Sequence, residues 1–487
     1  MGSAQLNGPV VSDHVFGTGK EIAGAREQFE LAVSVVERIA DLAAVMAASV
    51  LAYSTYSILE VGKRLHYSNG LVLTAGFVFA VAFVVMLDHD GAYERANSLL
   101  RIRETERILR VCTQTFGIAF SVTFFFPHPL SRWVVLLAGI FVPLTLVMEK
   151  QLVFLMIRQL HSRGYGLQNV LVYGAGFTGR RVFSALVSSP KVGLNPVAIV
   201  DDNQKLAGQK IFQYGYKRER SAPVITGPIT SDLIRQWGVS LVVIGIPSLS
   251  GERLHEIANE AFRCGANVAF VPQLSFDADT STEYVDLDGV LIASLGQLPP
   301  KRVYETAKRI FDFGAALVLF VLTLPIWIIL ALLIHLDSRG PAFFQQERVG
   351  REGRPFNLYK FRSMRADASK YGLHPTDVDD PRITRIGRWL RRTSLDELPQ
   401  LINVLKGDMS LVGPRPEMHF IVKHYNPRHW QRLKVMPGLT GLWQLSADRA
   451  FLIHENIQYD LYYIRNRNFF MDLAILLHTV VFAMKGV

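Results

Sequence analysis

F-D-F-G-A-A-L-V-L-F-V-L-T-L-P-I-W-I-I-L-A-L-L-I-H-L, Phe311 to Leu336, is the stretch on which the fold turns. As one helix it is long enough to cross a hydrocarbon core of roughly 30 Å at about 1.5 Å per residue. Its flanks argue against a simple crossing. Lys301, Arg302, Lys308 and Arg309 precede it, and Arg339, Arg348 and Arg351 follow. Lysine and arginine favour the cytoplasmic side, so both ends prefer the same side. Pro325 lies in the middle and removes a helix hydrogen bond, which bends or breaks the helix. A helix that enters, bends and returns satisfies both observations. The expectation is therefore a re-entrant membrane helix broken at Pro325, followed by a domain on the side it entered from.

Upstream, four apolar stretches suggest transmembrane helices at about 39–59, 70–87, 108–126 and 133–157. The connection between the second and third carries Arg95, Arg101, Arg103, Arg107 and Arg110, whereas the first carries Lys63 and Arg64 and the third Arg132. That asymmetry puts the N-terminus, the second connection and everything after Ile157 in the cytoplasm. The second connection, A-Y-E-R-A-N-S-L-L-R-I-R-E-T-E-R, reads as a helix along the membrane surface. The first twenty residues lack the apolar core of a signal peptide.

From Leu167 the pattern becomes short apolar runs separated by helical stretches. N-V-L-V-Y-G-A-G-F-T-G-R (Asn169–Arg180) reads as strand, glycine turn and helix start. V-A-I-V-D-D (Val197–Asp202), L-V-V-I-G-I-P (Leu241–Pro247) and N-V-A-F-V-P (Asn267–Pro272) read as further buried strands. This alternation predicts a parallel, Rossmann-like α/β sheet. Gly174-x-Gly176-x-x-Gly179, with Asp201 about twenty residues on, fits a nucleotide loop or a packing turn that binds nothing. Tyr304-x-x-x-Lys308 has the spacing of a short-chain dehydrogenase pair, but Lys308 abuts the apolar stretch, so a membrane anchor is the better reading. The expected domains are 1–165, 166–300 and 301–487.

The 487 residues are 49% hydrophobic with a net charge of +10, a balance suited to nucleic acid, an anionic membrane surface or a phosphorylated substrate. Two cysteines, Cys112 and Cys264, are too few and too separate for a disulfide framework or a zinc site. After Gly340 the chain is arginine-rich and mixed α/β in pattern. Lys360, Arg362, Arg382 and Arg415 stand there as candidate phosphate clamps, because guanidinium forks match phosphate oxygens. S-L-D-E-L-P-Q (Ser394–Gln400) adds adjacent carboxylates, Asp396 and Glu397, after a run crowded with arginine. Ser394-x-x-Glu397 has capping-box spacing, which would place the pair at a helix N-terminus. The surrounding arginines are expected to keep Asp396 ionised. The last segment, Phe469–Lys485, is amphipathic and suits either the membrane interface or internal packing.

From about Lys301 onward the motifs F-F-Q-Q-E-R-V-G, L-Y-K-F-R-S-M, D-P-R-I-T-R-I-G, the string from Ser394 to Glu417, P-G-L-T-G-L-W-Q and Y-D-L-Y-Y-I resemble the bacterial sugar transferase family. The family comprises polyprenyl-phosphate hexose-1-phosphate transferases, and the whole chain resembles its large form with a four-helix region and a Rossmann-like module. The resemblance implies transfer of a hexose-1-phosphate, glucose or galactose, from a UDP-sugar to undecaprenyl phosphate, with release of UMP. It implies Asp396 as nucleophile, Glu397 as a ligand to Mg²⁺, Pro414-Arg415-Pro416 as a substrate element, and Arg449 and Asp460 as further substrate contacts. A bacterial inner-membrane location with a cytoplasmic active site and no nucleic-acid partner are also implied. A homodimer, made through the membrane helices or the Rossmann-like module, is the expected oligomer. The family's serine before the helix-breaking proline is Leu324 here. The competing expectations are a membrane-tethered nucleotide-sugar oxidoreductase or dehydratase working from the Gly174 loop, and a non-catalytic scaffold with a nucleotide sensor.

Overall fold

The computed structural model describes residues 19–59, 67–93, 101–125, 131–188, 193–214, 219–272, 280–287, 290–297, 299–368, 380–445 and 457–484. The chain forms two compact units, Met1–Leu274 and Ser275–Val487.

The first unit begins with four helices: α1 (Gly19–Leu59), α2 (Asn69–His89), α3 (Arg101–Phe125) and α4 (Arg132–Ser162). By length and composition, α2, α4 and the Gln28–Leu59 part of α1 could each cross a membrane. The stretch expected as a third span lies in α3, which does not qualify. Arg101, Arg103, Glu104, Glu106, Arg107 and Arg110 occupy its first turns, and Thr113, Gln114 and Thr115 interrupt the apolar run. The helix still joins the bundle, where Ile108, Val111 and Cys112 pack with Phe83, Leu87, Val142 and Leu146. The surface helix expected over 92–107 is described only in part. Residues 94–100 lie outside the described residues, and 101–107 open α3. A buried polar joint ties the bundle: Asp41 accepts from Tyr93 Oη at 2.8 Å and from Lys150 Nζ at 2.7 Å.

The same unit continues into β1 (Gln168–Tyr173), α5 (Phe177–Ser188), β2 (Leu194–Asp201), β3 (Lys210–Tyr214), β4 (Glu219–Thr226), α6 (Ser231–Trp237), β5 (Val239–Ile244), α7 (Gly251–Arg263) and β6 (Asn267–Phe270). The strands form one sheet in the order β3-β4-β2-β1-β5-β6. Its pairs are parallel except at the β3–β4 edge. All four strands read from the sequence are present. In three of them the sheet buries the apolar run, with Val170, Leu171, Val172, Ala198, Ile199 and Val242 fully enclosed. β6, expected to be buried, is instead an edge strand with Phe270 exposed. Gly174 turns the chain at φ +107°. A Cβ on Gly179 would come within 1.7 Å of the Gly174 carbonyl, so α5 can approach the turn only through glycine.

The second unit opens with an antiparallel hairpin, β7 (Thr280–Leu287) and β8 (Val290–Gln297). α8 (Arg302–Asp337) follows, then the antiparallel pair β9 (Phe343–Val349) and β10 (Pro355–Phe361). Next come α9 (Arg385–Thr393), a 3-10 turn at Leu395–Glu397, α10 (Gln400–Lys406) and β11 (Ser410–Val412), which pairs in parallel with β12 (Gly438–Thr440). Short helices α11 (His419–Val422), α12 (Pro427–Trp430) and α13 (Leu442–Leu445) precede α14 (Ile457–Asn466) and α15 (Phe469–Met484). The result is the mixed α/β arrangement expected from the sequence.

α8 is the fourth helix long and apolar enough for a membrane. Straight, it would extend about 54 Å, yet both ends are bonded to the same unit. Near its start, Arg309 donates to the carbonyls of Val404 (2.6 Å) and Leu405 (3.0 Å), and Ser410 Oγ donates to Asp312 (2.7 Å). Near its end, Trp327, Leu330 and Ile334 pack with Phe361 and Leu390, while Ile402 of α10 borders the same cluster. The middle turns outward, with Leu317, Val318, Val321 and Leu322 exposed. Pro325 falls in this middle region, and Thr323 Oγ1 bonds to the Leu319 carbonyl (2.7 Å) and accepts from Trp327 Nε1 (3.1 Å). A hydroxyl therefore stands beside the proline although residue 324 is leucine. α15 packs internally along one face, where Met471, Ala474 and Ile475 are fully buried, and exposes Val480 and Val481 on the other.

Candidate active site

The two carboxylates sit in the link between α9 and α10. Thr384 caps α9 by accepting from Gly387 N at 2.9 Å, and Gly387 packs so close to the Ser363 carbonyl that a Cβ would meet it at 1.9 Å. Ser394 ends the helix in a left-handed conformation, φ +57°. Its hydroxyl makes no cap bond. The expected capping box is therefore absent, because Ser394 terminates one helix rather than starting another. Asp396 and Glu397 lie on the 3-10 turn that follows, before α10 begins at Gln400.

Glu397 Oε1 accepts from Lys360 Nζ at 2.7 Å and from Arg415 Nη2 at 2.8 Å. Lys360 reaches it from β10. That strand is locked to α10 by Asn403, fully buried, which accepts from Tyr359 N (3.1 Å) and donates to the Asn357 carbonyl (2.7 Å). Arg415 is set by Arg432, a buried guanidinium that donates to the Arg415 carbonyl (3.0 Å), to Asp460 (2.6 Å) and to Glu417. Tyr425 also donates to Glu417, and Val349 N bonds to the Glu417 carbonyl at 3.0 Å. The Pro-Arg-Pro turn is thus held from beneath by a closed polar network.

The two acids have opposite electrostatics. Burial alone would push the Glu397 carboxyl up, but Arg415 and Lys360 outweigh it and hold the group well below the usual carboxylate range. Burial pushes Asp396 up, and the Glu397 charge adds to that, against the pull of Lys360, Arg391 and Arg415. No described residue donates a hydrogen bond to Asp396, which is 8% exposed. The arginines favour the ionised form of Asp396, as expected, but burial outweighs their pull and the carboxyl is pushed up rather than down, because none of them bonds to it directly.

Of the candidate clamps, Lys360 and Arg415 come together at the dyad. Arg362 does not. It is 5% exposed and caps the end of α8, donating to the carbonyls of Ile334 (3.3 Å), Ser338 (2.6 Å) and Arg339 (2.9 Å) and to Ser338 Oγ (2.9 Å). Arg382 pairs with its near neighbour Asp380 at 2.6 Å. Asp460, expected to touch substrate, is 3% exposed and spent on Arg432. Arg449 lies outside the described residues. Sequence reasoning overlooked Arg391, whose charge acts on Asp396, and Arg432, Asn403 and Arg348. Nothing local distinguishes these from other arginines and asparagines in an arginine-rich segment.

A Mg²⁺ ion fits the donor set as a substrate-borne ion. Among the described residues no group of three or more His, Cys, Asp or Glu could hold a metal by itself. Both cation bonds to Glu397 end on Oε1, which leaves Oε2 to coordinate. One or two carboxylates plus substrate phosphates are the usual ligands of Mg²⁺.

The other candidates sit elsewhere. Asp201 of the glycine turn accepts from Ala175 N (2.6 Å) and Asn203 N (2.8 Å), so its carboxylate serves the turn itself. Gly174 and Gly179 are needed for close packing, and Gly176 faces open space. Tyr304 donates to Asp472 at 2.6 Å, and Lys308 lies 2.9 Å from the same carboxylate. The Tyr-Lys pair therefore fastens α8 to α15.

Comparison with known proteins follows these divisions. A family model described as bacterial sugar transferase matches residues 303–486, and one described as a CoA-binding domain matches residues 89–272. The UDP-glucose:undecaprenyl-phosphate glucose-1-phosphate transferase of Xanthomonas campestris pv. campestris is 31% identical over 354 residues, 69% of this chain and 71% of that protein. The UDP-N-acetylgalactosamine-undecaprenyl-phosphate N-acetylgalactosaminephosphotransferase of Aeromonas hydrophila is 36% identical over 235 residues, 47% of this chain but only 56% of that relative. An uncharacterized sugar transferase, EpsL, of Bacillus subtilis (strain 168) is 43% identical over 174 residues, 36% of this chain and 85% of that protein.

Proposed function

Because the chain belongs to the bacterial sugar transferase family, we propose that it transfers hexose-1-phosphate from a UDP-sugar to undecaprenyl phosphate and so starts a lipid-linked glycan. The observation that carries this reading is the dyad itself: Glu397 is pinned by Lys360 and Arg415, and Asp396 stands beside it without a hydrogen-bond partner among the described residues.

Both substrates are anions, so direct attack of one phosphate on the other is repulsive. A carboxylate nucleophile divides the transfer into two steps. Asp396 attacks the sugar-bearing phosphorus, the bond to the bridging oxygen breaks, and UMP leaves with that electron pair. An oxygen of undecaprenyl phosphate then attacks the aspartyl phospho-sugar, and the Asp396 carboxylate is released. Lys360 and Arg415 fix Glu397 and face the charge that develops on the phosphate oxygens. Mg²⁺, when bound through Glu397 and the diphosphate, supplies further charge neutralisation.

The lipid acceptor gives α8 its purpose. Its outward apolar middle, Pro325 and the two ends bonded to one unit support a helix that dips into the cytoplasmic leaflet and returns. The reaction then takes place at the cytoplasmic surface of the inner membrane, beside a prenyl chain.

The test is UMP release from UDP-glucose or UDP-galactose with undecaprenyl phosphate and Mg²⁺. Asp396→Asn should lower the rate by at least about 10³-fold, in line with removal of a covalent nucleophile. Wild-type turnover by that variant would remove Asp396 from the mechanism.

A further inference from the structure

Lys360 has a counterpart on the same hairpin that has found no acid. In the antiparallel register, Lys360 faces Phe344 and Arg348 faces Phe356. Positions 344, 346 and 348 share a face with 356, 358 and 360, because side chains alternate along a strand. Arg348 and Lys360 therefore leave the hairpin on one side, the side from which Lys360 reaches Glu397. The next residue, Val349, is bridged to Glu417, which brings Arg348 alongside the Pro414–Glu417 turn.

The local partners do not satisfy this guanidinium. Arg348 Nη2 donates to Gln346 Oε1 at 2.7 Å, a neutral acceptor. Its Nε is buried and has no hydrogen-bond partner among the described residues. The nearby acids are taken: Glu397 by Lys360 and Arg415, Glu417 by Arg432 and Tyr425. Burial, and after it the charge of Arg415, push Arg348 down to about 10 against the weaker opposing pull of Glu417 and Glu397. A cation held against another cation, with a donor unused, is costly unless an anion completes the site.

We propose that Arg348 and Arg415 form a phosphate-binding subsite on the Glu397 side of the dyad, with Arg348 as a binding residue for a phosphate of the substrates. This rests on the transferase reading above. It places an anion between two guanidinium forks, one from β9 and one from the Pro-Arg-Pro turn. The four cations Lys360, Arg348, Arg391 and Arg415 around the two carboxylates suit a ligand carrying more than one negative charge.

The full-length protein in detergent is assayed for UMP release while UDP-hexose and undecaprenyl phosphate are varied in turn. Direct binding of UDP is measured by calorimetry. Arg348→Gln should cut kcat/KM about 10- to 100-fold, the usual scale for a charge-assisted bond. Arg348→Lys, which keeps the charge and loses the fork, should recover part of it. A raised KM for UDP-hexose with weakened UDP binding assigns the subsite to the donor diphosphate. A raised KM for undecaprenyl phosphate alone assigns it to the lipid phosphate. If both variants melt like wild type and keep both KM values and the UDP affinity, the subsite does not exist. Should Arg348→Gln fail to fold, Arg348→Lys decides on the same readouts. A wild-type protein that releases no UMP from any UDP-hexose refutes the transferase reading, and UDP binding by the two Arg348 proteins still decides the subsite.

Discussion

Adjacent carboxylates in one sequence step have been given different chemistry by their neighbours. Glu397 owns two hydrogen-bonded cations, and Asp396 owns buried space. An attacking Asp396 must be ionised, so UMP release should rise with pH, with an acid limb above the ordinary aspartate range of about 3.9. Arg391→Gln removes a charge that favours the ionised form and should move that limb to higher pH, measurable as a shift in the pH profile of kcat. A limb that moves to lower pH would refute the electrostatic account. A carboxyl raised on folding costs stability once pH exceeds its unfolded value. Asp396→Asn should therefore be inactive yet melt at or above the wild type at neutral pH. The dyad was legible in the sequence because the S-L-D-E-L-P-Q string is distinctive. The protonation balance was not, because burial depends on what packs over residue 396.

Elements supplied the clearest corrections. A serine three residues before a glutamate reads as an N-cap, but α9 runs up to Ser394 and forces it left-handed. Since the hydroxyl caps nothing, Ser394→Gly should relieve backbone strain and raise the thermal midpoint of the second unit, by about 0.5–1 kcal/mol. A loss of stability instead would restore a capping role. Arg362 illustrates the same limit. From sequence it is one of several arginines near lysine and phenylalanine, whereas in the fold it closes the end of α8 with four bonds. Arg362→Ala should destabilise the second unit by about 3 kcal/mol or more through unsatisfied buried carbonyls. Any fully folded remainder should bind UDP with wild-type affinity. Weakened UDP binding by folded protein would return Arg362 to the phosphate site.

Across the whole molecule the residues assigned to catalysis fall within the second unit, Ser275–Val487. The match to EpsL covers 36% of this chain and 85% of that protein. A chain limited to residues 275–487 should therefore remain membrane-bound through α8 and release UMP within about tenfold of the full-length rate. Its appearance as soluble or inactive protein would show that the first unit is needed for catalysis. Unlike the antiparallel β3–β4 edge, four of the six strands of the sheet, the glycine turn, three of the four upstream apolar lengths and the distinctive strings were determined by the sequence alone. Each is a local property, set by side-chain periodicity, by backbone freedom at single glycines or by the span of an apolar run. Which charge meets which was decided only by tertiary structure. Arg432 closes on Asp460 and holds up Arg415, Arg362 turns to α8, and Lys360 crosses to Glu397. These partners lie 17 to 37 residues apart along the chain. In a segment with so many arginines, packing and desolvation choose the pairs, and no spacing rule encodes that choice.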